Sequence, residues 1–198
     1  PFTSDILVMI YLLAIGTFFL ALAGMDTGSA FGGFASSREM TIAALAEGGL
    51  LFSLLTVGII SGTTNLFSIS NTISSFDFHF SLPIILAFIG FFVAMLAETA
   101  RFPFDNPATH LELTMIHEAM ILEYSGKKLA LIEWAAANKL AIFMALGSSL
   151  FFPWGIANSL SLWAAISGIA FFIIKALIFC GVIATIESTI AKFRFFRL

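Results

Sequence analysis

Four ionisable residues, Glu47, Glu133, Lys139 and Lys175, stand inside apolar runs that would ordinarily exclude them. One charge near the centre of a membrane-crossing helix costs on the order of 2.5–3.5 kcal/mol, so four cost roughly 10 kcal/mol unless each meets the bundle interior, a partner or water. Such groups mark ion or proton paths, and the chemistry they support is proton exchange between carboxylates and amines. Glu133 and Lys139 are six residues apart on one predicted helix. That is about 9 Å along the axis and about 120° around it, so they do not share a face and each is expected to reach another helix. Lys175 precedes Glu187 by 12 residues, about 18 Å of helix, which is too deep for easy snorkelling. It is expected to be neutral or paired with a carboxylate. Glu47 lies about 13 Å into its helix from Arg38, where a carboxylate can serve as a proton stop.

The densest polar chemistry falls in one loop, 98–126, reading ETARFPFDNPATHLELTMIHEAMILEYSG. Pro103 and Pro107 break the preceding helix, and Asp105-Asn106-Pro107 reads as a turn and helix start. From 108 to 123 the pattern predicts an amphipathic helix. His110, Thr114, His117 and Glu118 fall on one side, and Leu111, Met115, Ile116, Ala119, Met120 and Leu122 on the other. Glu112 and Glu123 fall within the apolar side, three turns apart on one stripe. Two carboxylates on a face built for burial must be neutralised, hydrated or paired, with Arg101 the nearest cation in sequence. His110 and His117 are about 10 Å apart along the axis, too far for one metal ion, and are expected on a solvated face.

The elements that must position these groups are membrane helices. Of 198 residues, 60% are hydrophobic and 11% charged, against roughly 25% charged in soluble domains. Apolar stretches long enough to cross about 30 Å of hydrocarbon recur along the chain. Five spans are predicted, at 4–24, 39–61, 80–99, 127–152 and 158–188, in an all-α polytopic bundle forming a single membrane domain over 1–198. Seven of nine Lys and Arg residues lie outside span interiors. They alternate: Arg38 in the first loop, Arg101, Lys127 and Lys128 around the third, and Lys192, Arg194 and Arg197 in the tail. The second and fourth loops have none, so the 98–126 loop and the C-terminus are expected to be cytoplasmic. The chain opens at Pro1 with no leader pattern before its first span, and N-terminal helices of a longer protein are expected to precede it. A single cysteine, Cys180, cannot build an iron–sulfur or zinc site. No nucleophile–base set, phosphate loop or metal cluster suggests a stand-alone enzyme, and nothing points to nucleic acid.

The run Glu98-Thr99-Ala100-Arg101-Phe102-Pro103-Phe104-Asp105, then Glu112-Leu113 and Glu123-Tyr124-Ser125-Gly126, resembles the signature of the respiratory complex I subunit 1 family, which includes the H-type subunit of NADH-quinone oxidoreductase. Asp26-Thr27-Gly28-Ser29-Ala30-Phe31-Gly32-Gly33, Ser37-Arg38-Glu39-Met40 and Ile186-Glu187-Ser188 are more similar to its hydrogenase-side branch, the group 4 hydrogenase and formate hydrogenlyase subunit 4, or hydrogenase-4 component C, type. The resemblance runs over nearly all of the chain. It implies a subunit of a prokaryotic cytoplasmic (inner) membrane that anchors a soluble iron–sulfur arm to an ion-pumping arm and carries no redox centre itself. Iron–sulfur clusters, and a nickel–iron centre where one exists, would belong to partners. Those partners would be hydrogenase-like large and small soluble subunits, a ferredoxin-like iron–sulfur subunit and antiporter-like membrane subunits. Residue by residue, Glu47, Glu98, Asp105, Glu112, Glu123 and Glu133 fall on family acidic positions, and Arg101 on the family arginine. Family members have about eight helices against the five predicted here. Ala108 and His110 stand where quinone-reducing members carry further acids, and the loop has extra residues between Leu113 and Glu123, which weakens a quinone site. Three other readings stay open: a quinone-site subunit, a redox-independent ion-coupled carrier subunit, and a purely structural anchor.

Overall fold

The computed structural model describes residues 5–75, 82–105, 115–155 and 162–189. Their helices, in chain order, are α1 (Ile6–Asp26), α2 (Ala30–Ser61), α3 (Leu66–Ser75), α4 (Leu82–Glu98), α5 (His117–Ile121), α6 (Gly126–Leu150) and α7 (Leu162–Thr189). Four of them, α1, α2, α6 and α7, are long and apolar enough to cross a membrane, and α4 is a shorter apolar helix of 17 residues. At 1.5 Å per residue α4 covers about 25 Å, just under a hydrocarbon core of about 30 Å.

These correspond to the five expected spans, with one large boundary change. The second helix starts at Ala30 and runs through Arg38, where charge placement alone predicts a loop. The reason is local. Gly28, at φ +66°, makes the turn after α1, and the Ser29 hydroxyl accepts the Gly32 N–H at 3.0 Å as an N-cap. The helix therefore begins nine residues before position 39, and the connection shrinks to 27–29. Arg38 becomes a buried helical residue with its guanidinium 4.0 Å from the centre of the Phe34 ring.

The bundle has two ends. At the far end, Asp5 caps α1 through the Leu7 N–H, and Ile6 N–H donates to the Thr64 carbonyl, closing the start of α1 onto the end of α2. There the second loop carries α3, a helix that charge and hydropathy patterning do not predict. Asn65 caps α3 through the Phe67 and Ser68 N–H groups, and Ile69 and Ile73 are buried beneath it. At the loop end lie the 27–29 turn, the described residues of 99–125 and the last turn of α7.

Packing between α2 and α4 relies on small residues, with Gly49 against Ala94 and Gly90 against Ser53. That lets the helices approach closely where lipid supplies no hydrophobic drive for association. A side chain at Gly147 would meet the Phe91 and Phe179 rings at 2.8 and 3.1 Å, so α6 fits against them only through this glycine. Phe88, Phe91, Phe143, Phe151 and Phe179 form the aromatic centre of the core.

The expected 108–123 helix is corrected. Residues 106–114, with Glu112 and His110, lie outside the described residues, and the described helix is only His117–Ile121. Asp105 explains where it starts. Its buried carboxylate accepts the N–H groups of Ile116 at 3.2 Å and His117 at 2.8 Å, groups a continuing helix would direct to carbonyls one turn back. Residues 122 and 123 form a turn closed by the Tyr124 N–H to the Ile121 carbonyl at 2.9 Å. Glu123 is exposed on that turn, not on a buried stripe. Buried Ala119, Met120 and Ile121 anchor α5, and the Tyr124 hydroxyl donates to the Ala23 carbonyl of α1 at 2.9 Å.

Candidate functional site

Three helices of the bundle converge on one buried polar cluster. From α6 the Lys139 ammonium donates to Glu98 Oε2 at the end of α4, at 2.7 Å, and to Thr17 Oγ1 on α1, also at 2.7 Å. The Thr17 hydroxyl lies 3.3 Å from the same Glu98 oxygen and 3.3 Å from the Leu13 carbonyl one turn back. The Glu98 side chain is 2% exposed and that of Lys139 20%. A pair so enclosed persists only with close geometry and further hydrogen bonds, and Thr17 supplies one. Glu98 Oε1 is buried with no hydrogen-bond partner among the described residues. A carboxylate oxygen in that state is a ready acceptor for a proton or a polar guest.

Two cavities reach this region. An inner one of about 580 Å³ is lined by Thr17, Glu39, Glu98, Asn138 and Lys139 among apolar residues of α1 and α6. An outer one of about 640 Å³ opens among the 99–105 segment, α5, α6 and α7. Its charged lining is Arg101, Asp105, Glu118, Glu133 and Glu187. Thr99, His117 and Ala136 line both.

The sequence-predicted residues divide on this geometry. Glu98 and Lys139 come together. Lys139 reaches across to other helices, as its spacing from Glu133 requires, while Glu133 is exposed and lines the outer cavity. Glu47 is half-buried on α2, within electrostatic reach of Glu98 and Lys139. Arg101 meets Glu187 of α7 at 3.8 Å, with both side chains well exposed. The loop arginine is thus engaged by the last helix, and Glu123 is not its partner among the described contacts. Asp105 is the cap of α5 as well as part of the outer lining. Glu123 lines neither cavity.

Of the two states expected for Lys175, neutral or paired with a carboxylate, the second is not found among the described residues. Lys175 is buried in α7, and its ammonium donates to the Phe152 carbonyl at 2.6 Å and lies 5.1 Å from the Trp154 ring centre. The end of α6 folds over α7 here, so a carbonyl left unpaired by the helix end receives the ammonium. Lys175 borders a separate apolar cavity of about 520 Å³ with Ser148 and Ser149.

Sequence reasoning missed Glu39 and Thr17 as members of the cluster. Glu39 is buried in α2 and lines the inner cavity beside Glu98. A predicted span beginning at position 39 puts Glu39 at the membrane edge, whereas the true start of α2 puts it well inside the helix. No motif flags Thr17, whose role depends on Lys139 arriving from 122 residues away. His117 is expected from the sequence on a solvated face. It is half-buried at the junction of the cavities, and burial holds its imidazole below the ordinary value, partly offset by Glu118 and Asp105. Among the described residues no three His, Cys, Asp or Glu side chains gather as a metal site.

A family model described as NADH dehydrogenase matches residues 1–198. Hydrogenase-4 component C of Escherichia coli (strain K12) is 37% identical over 98% of this chain and 61% of its own length. Formate hydrogenlyase subunit 4 of the same organism is 30% identical over 98% of this chain and 62% of its own length. The H-type subunit of NADH-quinone oxidoreductase from Paraburkholderia phymatum is 26% identical over 97% of this chain and 56% of its own length. The chain spans about six-tenths of the length of these two Escherichia coli relatives.

Proposed function

The chain belongs to the NADH dehydrogenase family as a membrane subunit, and from that premise we propose that it is the ion-path-bearing anchor of a complex I-like energy-converting oxidoreductase of the group 4 hydrogenase or formate hydrogenlyase type. In this reading a docked iron–sulfur arm passes electrons, and the resulting change of charge or conformation is felt first at the loop end, by Arg101, Asp105 and the neighbouring carboxylates. Proton occupancy then shifts at Glu98, Glu39 and Glu47, with Lys139 as the mobile cation of the cluster. Glu133 belongs to the outer mouth of the path, and Glu112 and Glu123 to the loop that meets the arm. Lys175, on the far side of the core, acts toward neighbouring antiporter-like subunits. Iron–sulfur clusters, and any nickel–iron centre, reside in the soluble large, small and ferredoxin-like partners. The loop end faces the cytoplasm in a prokaryotic inner membrane, and the ion moved is a proton or sodium.

The observation that carries this reading is the buried Lys139–Glu98–Thr17 cluster with Glu98 Oε1 unpartnered beside a cavity. A cluster meant only to hold helices together would satisfy both carboxylate oxygens. Hydrogenase-4 component C, at 37% identity, is more similar to this chain than the H-type subunits compared, at 26–30%, which supports the hydrogenase-type complex over a quinone-site subunit. The test is Glu98→Gln in the assembled complex, reconstituted into vesicles. Electron transfer should continue while redox-driven ion movement falls by at least about tenfold, a floor set below the usual contribution of a positioned proton-transfer group. Ion movement equal to wild type would sink the proposal, and so would purification of the native complex without iron–sulfur subunits.

A further inference from the structure

Between the two cavities the path must cross a junction that only Thr99, His117 and Ala136 line from both sides among the described residues. Ala136 has no group that can carry a proton. The Thr99 hydroxyl is already committed to the Met95 carbonyl at 2.7 Å, one turn back in its own helix. His117 is the third member, and its imidazole makes no hydrogen bond with another described residue. Its backbone, by contrast, is fixed. The Asp105 carboxylate accepts its N–H at 2.8 Å, and Ala119, Met120 and Ile121 behind it are buried against α1 and α2. The fold therefore holds in place an imidazole whose ring is left uncommitted.

We propose that His117 is the proton relay between the outer cavity and the Glu98–Lys139 cluster. The inference rests on the ion-path reading above and adds to it the one titratable side chain that lines both cavities among the described residues. The exchange balances without any further reactant. One ring nitrogen of neutral His117 accepts a proton from the outer cavity, and the other ring nitrogen releases its own proton to a carboxylate oxygen of the inner one, leaving the imidazole neutral in the opposite tautomer. The outer side offers Glu118 of α5, Glu133 of α6 and Glu187 of α7, with Arg101 and Asp105 of the connecting segment. The inner side offers Glu39 of α2 and Glu98 of α4, with Lys139 of α6 setting the charge they must balance. Burial favours the neutral ring, which is the form a two-nitrogen relay needs at rest.

The test uses the native complex in sealed proteoliposomes, driven by reduced methyl viologen, with proton movement read by an entrapped pH dye. Wild type, Glu98→Gln, His117→Gln and His117→Ala are compared across a pH series, each with and without imidazole. The expected result is a loss of at least about tenfold in proton movement for both His117 variants, with electron transfer retained. Imidazole should restore His117→Ala, which leaves room for it, and shift its pH profile toward that of imidazole. Wild-type movement and pH profile in His117→Gln would overturn the proposal, because an uncharged side chain of similar reach would then suffice. Loss in His117→Ala without recovery in imidazole would overturn it too, since that is the pattern of a packing role. Unchanged movement in Glu98→Gln is a separate outcome and counts against the ion-path reading itself.

Discussion

Lys139 is held by two oxygens on two other helices, and Glu98 keeps one oxygen unpaired. The two halves of the pair are therefore unequal. Removing the cation by Lys139→Met strands a carboxylate that is almost fully enclosed, and breaking buried pairs in this way costs about 3–5 kcal/mol. Removing both charges, by Lys139→Met with Glu98→Gln, should recover much of that loss. Thermal unfolding of the complex carrying each variant checks the ranking, and a double variant no more stable than Lys139→Met would show that the pair is not an isolated electrostatic unit. His117 sets a pH dependence with a definite sign. Its folded imidazole titrates below the ordinary value of 6.5 because burial disfavours the charged ring. The fold then binds fewer protons than the unfolded chain, so docking of the loop is at full strength above about pH 6.5 and weakens as pH falls through the lowered value. Proteolysis of the 99–125 segment should rise from about pH 7 to about pH 5 in wild type and stay flatter in His117→Gln. Equal pH profiles in the two would remove His117 as the cause.

At the scale of elements, the C-terminal ends of α2 and α4 make a contrast. Helix α2 closes with Gly62 at φ +68°, where the Thr63 N–H returns to the Gly58 carbonyl at 3.1 Å. Helix α4 closes the same way, with the Arg101 N–H to the Leu96 carbonyl at 2.9 Å, but the left-handed residue is Ala100 at φ +50°. An L-residue with a Cβ in that conformation carries roughly 1–2 kcal/mol of strain, part of which glycine would return as chain entropy. Ala100→Gly should therefore stabilise the complex by about 0.5–1 kcal/mol, read as a rise in the unfolding midpoint. A fall would mean that the Ala100 methyl, which lines the outer cavity, contributes more than its strain. The turn matters for function because it directs Arg101 toward Glu187 and brings Asp105 back to cap α5. Exposed on both sides, the Arg101–Glu187 contact is worth little stability and is better seen as orienting the loop.

For the whole molecule, the question is which way the bundle faces. Large apolar side chains cover the outer faces of α1 and α7, including Tyr11, Ile15, Phe18, Leu162 and Trp163, as lipid or neighbouring subunits require. The loop end carries Arg101, Lys127 and Lys128, and the far-end segments 62–75 and 151–155 carry no Lys or Arg. The orientation we propose, which the positive-inside rule favours, has the outer cavity on the cytoplasmic side. On a Cys180→Ser background, Glu123→Cys should react with a membrane-impermeant maleimide only in inverted vesicles, and Asn65→Cys only in right-side-out cells. The reverse pattern would invert the proposed path, with the docked arm on the wrong side.

The sequence by itself determined the fold class, the five apolar helices and the identity of the chemically loaded loop. Those follow from hydrophobic run length and from charges in costly places, both of which are local properties of the chain. It also marked Lys139 and Glu47 as residues needing partners and offered Arg101 as a cation that could pair, while Glu98 was reached only through the family resemblance. Only the tertiary structure decided who those partners are. Glu98 meets Lys139 and Thr17 because α1, α4 and α6 converge at one depth, and no spacing within a single helix encodes that meeting. Tertiary contacts also overrode local pattern. Asp105 captures the N–H groups that a long loop helix would have used, so the periodicity of 108–123 does not become one described helix, and Glu123 turns outward. Lys175, expected to be neutral or paired with a carboxylate, found a carbonyl at the end of α6, because a helix terminus offers an acceptor that composition cannot reveal.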